Sequence, residues 1–363
     1  MKMKKTNQSR QAKQGNGSAW LKSTVCFLLC TVMLIPALPV EAASKLNGYQ
    51  SFGQFSEGMI VANKNGKYGF LDKEGNVVVK PKYSFANAFS EGLAVVQKGS
   101  KYGYVNKKGE EAVKLQYDYA GDFSEGLAAV QKGQKWSIID KKGKTVASLG
   151  SRYEEVLGFS EGLSGVSKNG KYGYINKSGK EVIRLQYTYC ENFSEDLAMA
   201  ELPGNPYVKF FYIDKKGKEA IKIPNGYGSG FRFSEGLAPI SKNDKYGFIN
   251  KKGKIVIKPK YAVYKDFSEG LAAVGKTSYQ QGYIDKKGNV VIKMKYNDAN
   301  SFSEGLAAVY TLDHGYGYID KKGKSVIRQQ YASAGDFSEG LAAVKSEDEV
   351  WYFIDKTGEI VVE

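Results

Sequence analysis

One short stretch, Phe-Ser-Glu-Gly-Leu in its regular form, recurs nine times along the chain and constrains the fold more than any other feature. Its phenylalanine stands at positions 55, 89, 123, 159, 193, 233, 267, 302 and 337, so successive copies lie 34 to 40 residues apart. A period of this size indicates a tandem array of small structural units that bury their apolar faces against one another. Residues 43–363 are therefore predicted to form a single tandem-repeat domain.

Each unit contains three apolar runs separated by turn residues. In the second unit these runs cover residues 92–97, 102–106 and 111–115. Runs of five or six residues, rich in β-branched and aromatic side chains, fit strands and are too short for helices. The sequence thus predicts an all-β fold of nine three-stranded antiparallel meanders, each about 35 residues long.

The second turn of every unit carries the clearest turn chemistry. An Asp or Asn is followed three residues later by Gly, as in Asn106 and Gly109. The Asp or Asn side chain can accept hydrogen bonds from the backbone ahead of it, and Gly accepts the positive φ where the turn meets a bulge. A tight hairpin is predicted at each of the nine positions.

Two arrangements of the nine units are open from the sequence. Nine units are many for a closed propeller and three strands per unit are few, which favours an open, twisted solenoid-like array. Residues 49–54 resemble the run that precedes later repeats, so the N-terminal piece could instead complete the last unit. In that case the array closes into a propeller-like ring.

The first 42 residues read as a cleaved signal peptide. A basic segment, residues 1–22, precedes an apolar run over residues 23–40, and Val40-Glu41-Ala42 supplies small residues where a signal peptidase cuts. We therefore expect a secreted or envelope-associated protein with no transmembrane segment after cleavage. Removing the leader leaves 47 basic and 37 acidic residues, a net charge near +10, which favours anionic polymers as partners over neutral ones.

Pairs of lysines occupy the second turn of six units, and stacking is expected to align them as a basic stripe. The glutamates of the repeats are expected to lie away from these turns. This arrangement fits a polyanion-binding edge and, equally, a solvated surface that merely keeps the array soluble. The candidate residues are Lys107, Lys108, Lys141, Lys142, Lys215, Lys216, Lys251, Lys252, Lys286, Lys287, Lys321 and Lys322.

No set of residues suggests catalysis, a cofactor or a metal. The single histidine, His314, stands beside Asp313 in a loop, but the further partners that a triad or a histidine metal site needs are missing. The repeated glutamates are interpreted as hydrogen-bonding groups at the turn into the first strand. Cys190, the one cysteine left after cleavage, is expected to be a buried small hydrophobe. The protein is therefore predicted not to be an enzyme.

The fifth unit departs from the pattern. Asp196 replaces the usual glycine, and residues 201–206 form an insertion that lengthens the spacing to 40 residues. Insertions in repeat proteins map to loops, often on the binding face, but a tolerated surface loop is the favoured explanation of this one.

The repeated pattern Lys-Tyr-Gly-Tyr-Ile-Asp/Asn-Lys-x-Gly, preceded by Phe-Ser-Glu-Gly-Leu-Ala, resembles the WG-repeat family of bacterial tandem β-repeats. Its Trp-Gly dipeptide is mostly Tyr-Gly here, as at Tyr102-Gly103, while Trp136 and Trp351 keep the Trp without the Gly. The resemblance implies a repeat scaffold and transfers no catalytic residue.

Together these observations predict a secreted, non-enzymatic scaffold that binds a protein or an envelope polymer, with no cofactor and no nucleic-acid partner. The alternative is a cell-wall glycan or teichoic-acid binder that uses the lysine stripe and the aromatic side chains of the second strands. An enzyme is the least favoured interpretation.

Overall fold

The structure, a computed structural model, describes residues 45–203, 208–228 and 231–363. The predicted leader and residues 204–206 of the predicted insertion lie outside the described residues. The described residues form 34 strands in eight antiparallel sheets and contain no helix. The all-β prediction is confirmed.

The first four sheets each contain four strands, joined in antiparallel order. The first sheet contains β1 (Ser51–Ser56), β2 (Met59–Lys64), β3 (Lys67–Asp72) and β4 (Val77–Tyr83). The second contains β5 (Phe85–Ala86), β6 (Leu93–Lys98), β7 (Lys101–Asn106) and β8 (Glu111–Tyr117). The third contains β9 (Tyr119–Ala120), β10 (Leu127–Lys132), β11 (Lys135–Asp140) and β12 (Thr145–Gly150). The fourth contains β13 (Glu155–Ser160), β14 (Leu163–Lys168), β15 (Lys171–Asn176) and β16 (Glu181–Tyr187).

The remaining sheets vary more in size, and the last two units share one sheet of seven strands through the long strand β31. The fifth sheet contains β17 (Tyr189–Cys190), β18 (Ala198–Leu202), β19 (Lys209–Ile213) and β20 (Glu219–Lys222). The sixth contains β21 (Leu237–Lys242), β22 (Lys245–Asn250) and β23 (Ile255–Tyr261). The seventh contains β24 (Val263–Tyr264), β25 (Leu271–Thr277), β26 (Gln280–Asp285) and β27 (Val290–Tyr296). The eighth contains β28 (Asp298–Ala299), β29 (Leu306–Thr311), β30 (Gly315–Asp320), β31 (Ser325–Ala334), β32 (Leu341–Ser346), β33 (Trp351–Asp355) and β34 (Ile360–Val362).

The three predicted strands of each unit are present, and most units add a fourth. In the first and fourth units this added strand has six residues and includes the repeated phenylalanine, as β1 and β13 show. In five other units it has only two residues, lies just before the phenylalanine and pairs with the first predicted strand, as Phe85 does with Gln97 and Ala86 with Val96. Two residues are too few to show a period of two in the sequence, which is why the pattern predicted three strands.

The predicted second turn forms as expected. In the second unit the side-chain oxygen of Asn106 accepts the backbone N–H groups of Lys108 (3.0 Å) and Glu110 (3.1 Å). Gly109 has a φ of +78°, a conformation that costs Gly least. The Asp/Asn and Gly pattern therefore serves the turn.

A close approach of two backbones explains why Gly stands in the Tyr-Gly dipeptide. A Cβ atom on Gly103 would lie 2.6 Å from the carbonyl oxygen of Val113 and 2.8 Å from the nitrogen of Leu115. The register between β7 and β8 shifts at this point, between Tyr102 and Tyr104, so the third strand bulges against the second. Only Gly allows the two backbones to approach this closely.

Nine apolar clusters hold the units together, and each joins two successive units. One of them brings Leu341, Phe353 and Val362 of the ninth unit against Phe55 and Leu71 of the first. The backbone N–H of Lys45 also donates to the carbonyl oxygen of Glu363 at 3.1 Å. Nine units with nine interfaces form a closed ring.

Of the two arrangements left open by the sequence, these contacts select the closed ring over the open array that the strand count favoured. The physical reason is that the N-terminal residues supply the partner surface for the last unit. Without Phe55 and Ile60, the apolar face containing Leu341 and Phe353 would be exposed to water.

Candidate functional site

The Ser-Glu-Gly-Leu turn is the most regular polar element of the ring. In the second unit Ser90 and Leu93 exchange two backbone hydrogen bonds, of 2.9 and 3.2 Å. The two central residues, Glu91 and Gly92, have φ values of +54° and +88°. Positive φ at both central residues defines a type I′ hairpin turn, for which Asn, Asp or Gly are the usual choices. Glu at the first central position is unfavourable for the backbone, so its side chain must supply the reason for its presence.

That reason is a contact between neighbouring units. The carboxylate of Glu91 accepts the backbone N–H of Gly126, in the equivalent turn of the next unit, at 2.9 Å. The same bond occurs around the whole ring and closes it, because Glu339 accepts the N–H of Gly58 at 2.8 Å. The remaining bonds, with the acceptor first, are Glu57 to Gly92, Glu125 to Gly162, Glu161 to Asp196, Glu195 to Gly236, Glu235 to Gly270, Glu269 to Gly305 and Glu304 to Gly340.

A lysine of the next unit completes each contact, which we call the latch: one Glu carboxylate, one backbone N–H and one Lys ammonium. The lysine is the first residue after the Asp or Asn of the second turn, and its Nζ lies 2.9 to 3.5 Å from the carboxylate. The nine pairs are Lys73–Glu339, Lys107–Glu57, Lys141–Glu91, Lys177–Glu125, Lys215–Glu161, Lys251–Glu195, Lys286–Glu235, Lys321–Glu269 and Lys356–Glu304.

The latches contradict part of what was predicted for the stripe of twelve lysines. The expectation that the glutamates lie away from the lysine turns is wrong, because each carboxylate reaches across to a lysine of the next unit. Six of the twelve candidate lysines are therefore bridged: Lys107, Lys141, Lys215, Lys251, Lys286 and Lys321. The sequence contained a signal that separates them, since Lys stands at the first turn position in all nine units and at the second position in only six.

The other six lysines occupy the second turn position, and we call them the outer lysines. All six are exposed, and none forms an ion pair with any residue that the structure describes. Because the same latch relates each unit to the next, they recur at equivalent places along one edge of the ring. They are Lys108, Lys142, Lys216, Lys252, Lys287 and Lys322. The last four belong to consecutive units, so this part of the edge presents four unpaired ammonium groups in succession.

Seven latches lower the pKa of their carboxyl group: those of Glu57, Glu91, Glu125, Glu235, Glu269, Glu304 and Glu339. Partial burial raises the pKa of Glu57, but the hydrogen bonds from Lys107 and from the N–H of Gly92 outweigh burial, and the pKa lies below its usual value. The pKa of Glu91 is lowered for the same reason, by Gly126 and Lys141. The carboxylates are thus held in the charged form, as acceptors.

Two further residues singled out in the sequence are Cys190 and His314. Cys190 is buried, as predicted, and burial raises the pKa of its thiol to about 12, so it is inert as a nucleophile at neutral pH. His314 is exposed in a turn. Within residues 45–203, 208–228 and 231–363, no group of three or more potential metal ligands comes together. The same residues contain no helix with the length and apolarity needed to cross a bilayer.

A family model described as a WG containing repeat matches this chain nine times, at residues 48–68, 68–102, 102–136, 136–172, 172–204, 210–246, 246–277, 282–311 and 316–351. A comparison with curated proteins gave no match.

Among solved structures, the chain is similar to one described as the crystal structure of the eukaryotic initiation factor. The identity is 11%, the TM-score is 0.57, and the match covers 81% of this chain and 92% of that one. This likeness concerns the fold alone. BamB from Moraxella catarrhalis matches with a TM-score of 0.40 at 11% identity, over 84% of this chain and 95% of that one.

Proposed function

The chain belongs to the family of WG-containing repeat proteins, and from that premise we propose that it is a non-enzymatic binding scaffold that holds an anionic polymer of the cell envelope. The proposed site is the row of outer lysines. The observation that carries the proposal is the contrast within six of the nine turns, in which one lysine is neutralised by a latch and the next is exposed and unpaired.

The charge pattern supports a polyanion as the ligand. The ring holds one outer lysine in each of six units, four of them consecutive, so a chain of phosphate or carboxylate groups can contact several of them at once. Contacts made by linked groups reinforce one another without any single strong bond. The net charge near +10 of residues 43–363 adds long-range attraction. Export through the predicted leader, residues 1–42, would bring the scaffold to such polymers.

The absence of enzymatic activity is part of the proposal. The one carboxylate that repeats in every unit is held by two donors of the neighbouring unit, as Glu91 is by Gly126 and Lys141. A carboxylate with a lowered pKa and occupied acceptor sites is poorly suited to act as a general acid or base at neutral pH.

Binding to purified cell-wall sacculi, prepared with and without their anionic polymers, tests the proposal. We expect the purified protein to be retained only when the polymers are present, and retention to fall at least tenfold between about 50 mM and 500 mM salt, because salt screens exposed charges. Retention that is the same with and without the polymers, and the same at low and high salt, contradicts a polyanion ligand and favours a protein partner.

A pair of matched variants locates the site. Replacing the six outer lysines with Gln is expected to abolish retention. The control replaces six exposed cations of the third strands with Gln, which changes the net charge equally; these are Lys80, Lys114, Lys222, Lys258, Lys293 and Arg328. Equal loss in both variants shows that net charge, and not the edge, is responsible.

A further inference from the structure

A cleft of about 640 Å³ opens where the fourth to seventh units meet. Its lining includes Leu157, Tyr189, Glu191, Phe231 and Arg232, and Asp266 stands beside them. None of these residues belongs to a latch or to the outer lysines. Pockets of about 300–1,000 Å³ that combine apolar walls with a few polar groups are typical of small-molecule sites.

The cleft arises from one variable position of the repeat. The residue two places before the repeated phenylalanine is small in several units, as with Gly53, Gly121 and Gly335. In the fourth, fifth and sixth units it is Leu157, Glu191 and Phe231, and all three line the cleft. The frame is kept where the side chains change: Tyr174 donates its hydroxyl to the carbonyl of Glu191 at 2.6 Å, and Tyr212 to that of Phe231 at 2.8 Å.

The polar groups of the cleft include charges of both signs. The Nε of Arg232 lies 3.2 Å from a carboxylate oxygen of Asp266 in the next unit, and the Arg232 side chain remains 69% exposed. Glu191 is half-buried. Burial raises the pKa of its carboxyl group, against the lowering effect of Arg232, and Asp266 raises it further. Two carboxyl groups and one guanidinium give no excess of positive charge, so this cleft is unsuited to the polyanion proposed for the outer lysines.

The apolar side of the cleft is aromatic. The ring of Tyr189 is a large amphipathic surface, and this residue is 42% exposed. Phe231 and Tyr264 lie with their ring centroids 6.0 Å apart, and Tyr264 packs on Tyr246 at 4.5 Å, which fixes its orientation. Aromatic rings held in place contribute contact area at little entropic cost.

We propose that this cleft binds a neutral saccharide of one or two rings. The C–H face of a sugar ring is apolar and suits the rings of Tyr189 and Phe231. Vicinal hydroxyl groups both donate and accept, so they can bond to the carboxyl group of Glu191 and to the planar guanidinium of Arg232 together. A ligand that is uncharged avoids repulsion from either sign of charge in the cleft.

Screening of the purified protein on an array of neutral oligosaccharides, followed by titration calorimetry with the best mono- or disaccharide, tests this site. We expect saturable binding that changes less than twofold between 50 mM and 500 mM salt. The proposal is independent of the polyanion site, whose binding should vanish over the same range. Absence of binding across the array overturns the saccharide proposal and leaves the lysine edge untouched.

Matched variants decide whether the cleft is responsible. Tyr189→Ala and Arg232→Gln are each expected to weaken binding at least tenfold. The control is Tyr119→Ala, because Tyr119 occupies the same repeat position in the third unit, is 44% exposed and does not line the cleft. Equal weakening by Tyr119→Ala contradicts the assignment, and so does unchanged binding in both cleft variants. Thermal unfolding checks that all three variants are folded. Tighter binding of a quaternary ammonium compound such as choline than of any sugar would also overturn it.

Discussion

The second and the fifth units form the same latch although they differ in the residues of the turn and in how their second and third strands pair. The second unit has Gly92 in its type I′ turn and Gly103 against a bulged third strand. The fifth unit has Asp196 and Phe211 at these positions, and its second and third strands pair Phe211 with Lys222 without the bulge there. Both units nevertheless complete the latch: Glu161 accepts the N–H of Asp196 at 2.9 Å and pairs with Lys215 at 3.1 Å.

The difference shows which features the ring requires. The bulge and its Gly are one solution to packing within a sheet, and they can be lost together. The latch joins successive units and is present at every interface, including the one that closes the ring. The cleft takes side chains from both kinds of unit, Tyr189 and Glu191 from the irregular fifth and Leu157 from the regular fourth.

The largest effect is expected where the second unit is most constrained. Gly103→Ala places a Cβ atom 2.6 Å from the carbonyl oxygen of Val113, so the strand pair must separate, and we expect a loss of about 3 kcal/mol in the free energy of unfolding. Urea denaturation followed by circular dichroism measures it. Gly158→Ala is the control, since a Cβ there meets nothing within 4 Å and φ is not positive. Equal losses in the two variants would show that the close approach is not what selects Gly.

The latch at the closing interface should matter as much as an internal one. Glu339→Ala and Glu91→Ala each leave a backbone N–H without its acceptor, and we expect each to cost about 1–2 kcal/mol. Ala keeps a Cβ at the same positive φ, so backbone strain is unchanged. The comparison uses the same urea titration. An unaffected Glu339→Ala variant beside a destabilised Glu91→Ala variant would mean that the ring is open in solution.

Acid should weaken the latches. The pKa values of Glu57, Glu91 and Glu339 lie below their ordinary value of 4.5 in the folded protein. A group with a lowered folded-state pKa contributes stability above its unfolded pKa and loses it as pH falls through the folded value. The urea midpoint should therefore be steady from pH 7 to about pH 5 and decline below pH 4.5. Glu91→Gln should reduce the steepness of that decline; an identical pH profile would remove Glu91 from the explanation.

Much of this architecture could be predicted from the sequence because it repeats. The period, the three long strands and the Asp/Asn–Gly turns each appear nine times, and the turns formed as expected at Asn106 and Gly109. Closure could not be predicted, because it depends on whether Phe55 and Leu341 meet in space. Neither could the latch partner of Glu57, which stands 50 residues from Lys107 in the sequence. The cleft could not be predicted for the opposite reason: Leu157, Glu191 and Phe231 do not repeat, and only the fold shows that they are neighbours.

The smallest effect is expected from making the fifth unit regular. Asp196→Gly relieves a non-Gly residue with a φ of +69°, which favours the folded state. It also removes the ion pair between Asp196 and Lys215, at 2.8 Å, but this pair is exposed and such pairs contribute little. The two changes oppose each other, so the urea midpoint should move by less than half the shift caused by Glu91→Ala.

Lys215 keeps its bond to Glu161, and Glu161→Ala is accordingly expected to be the more damaging substitution at this interface. If Asp196→Gly were the worse of the two, the fifth unit would depend on its own ion pair, and the latch would not be the main stabilising contact at this interface.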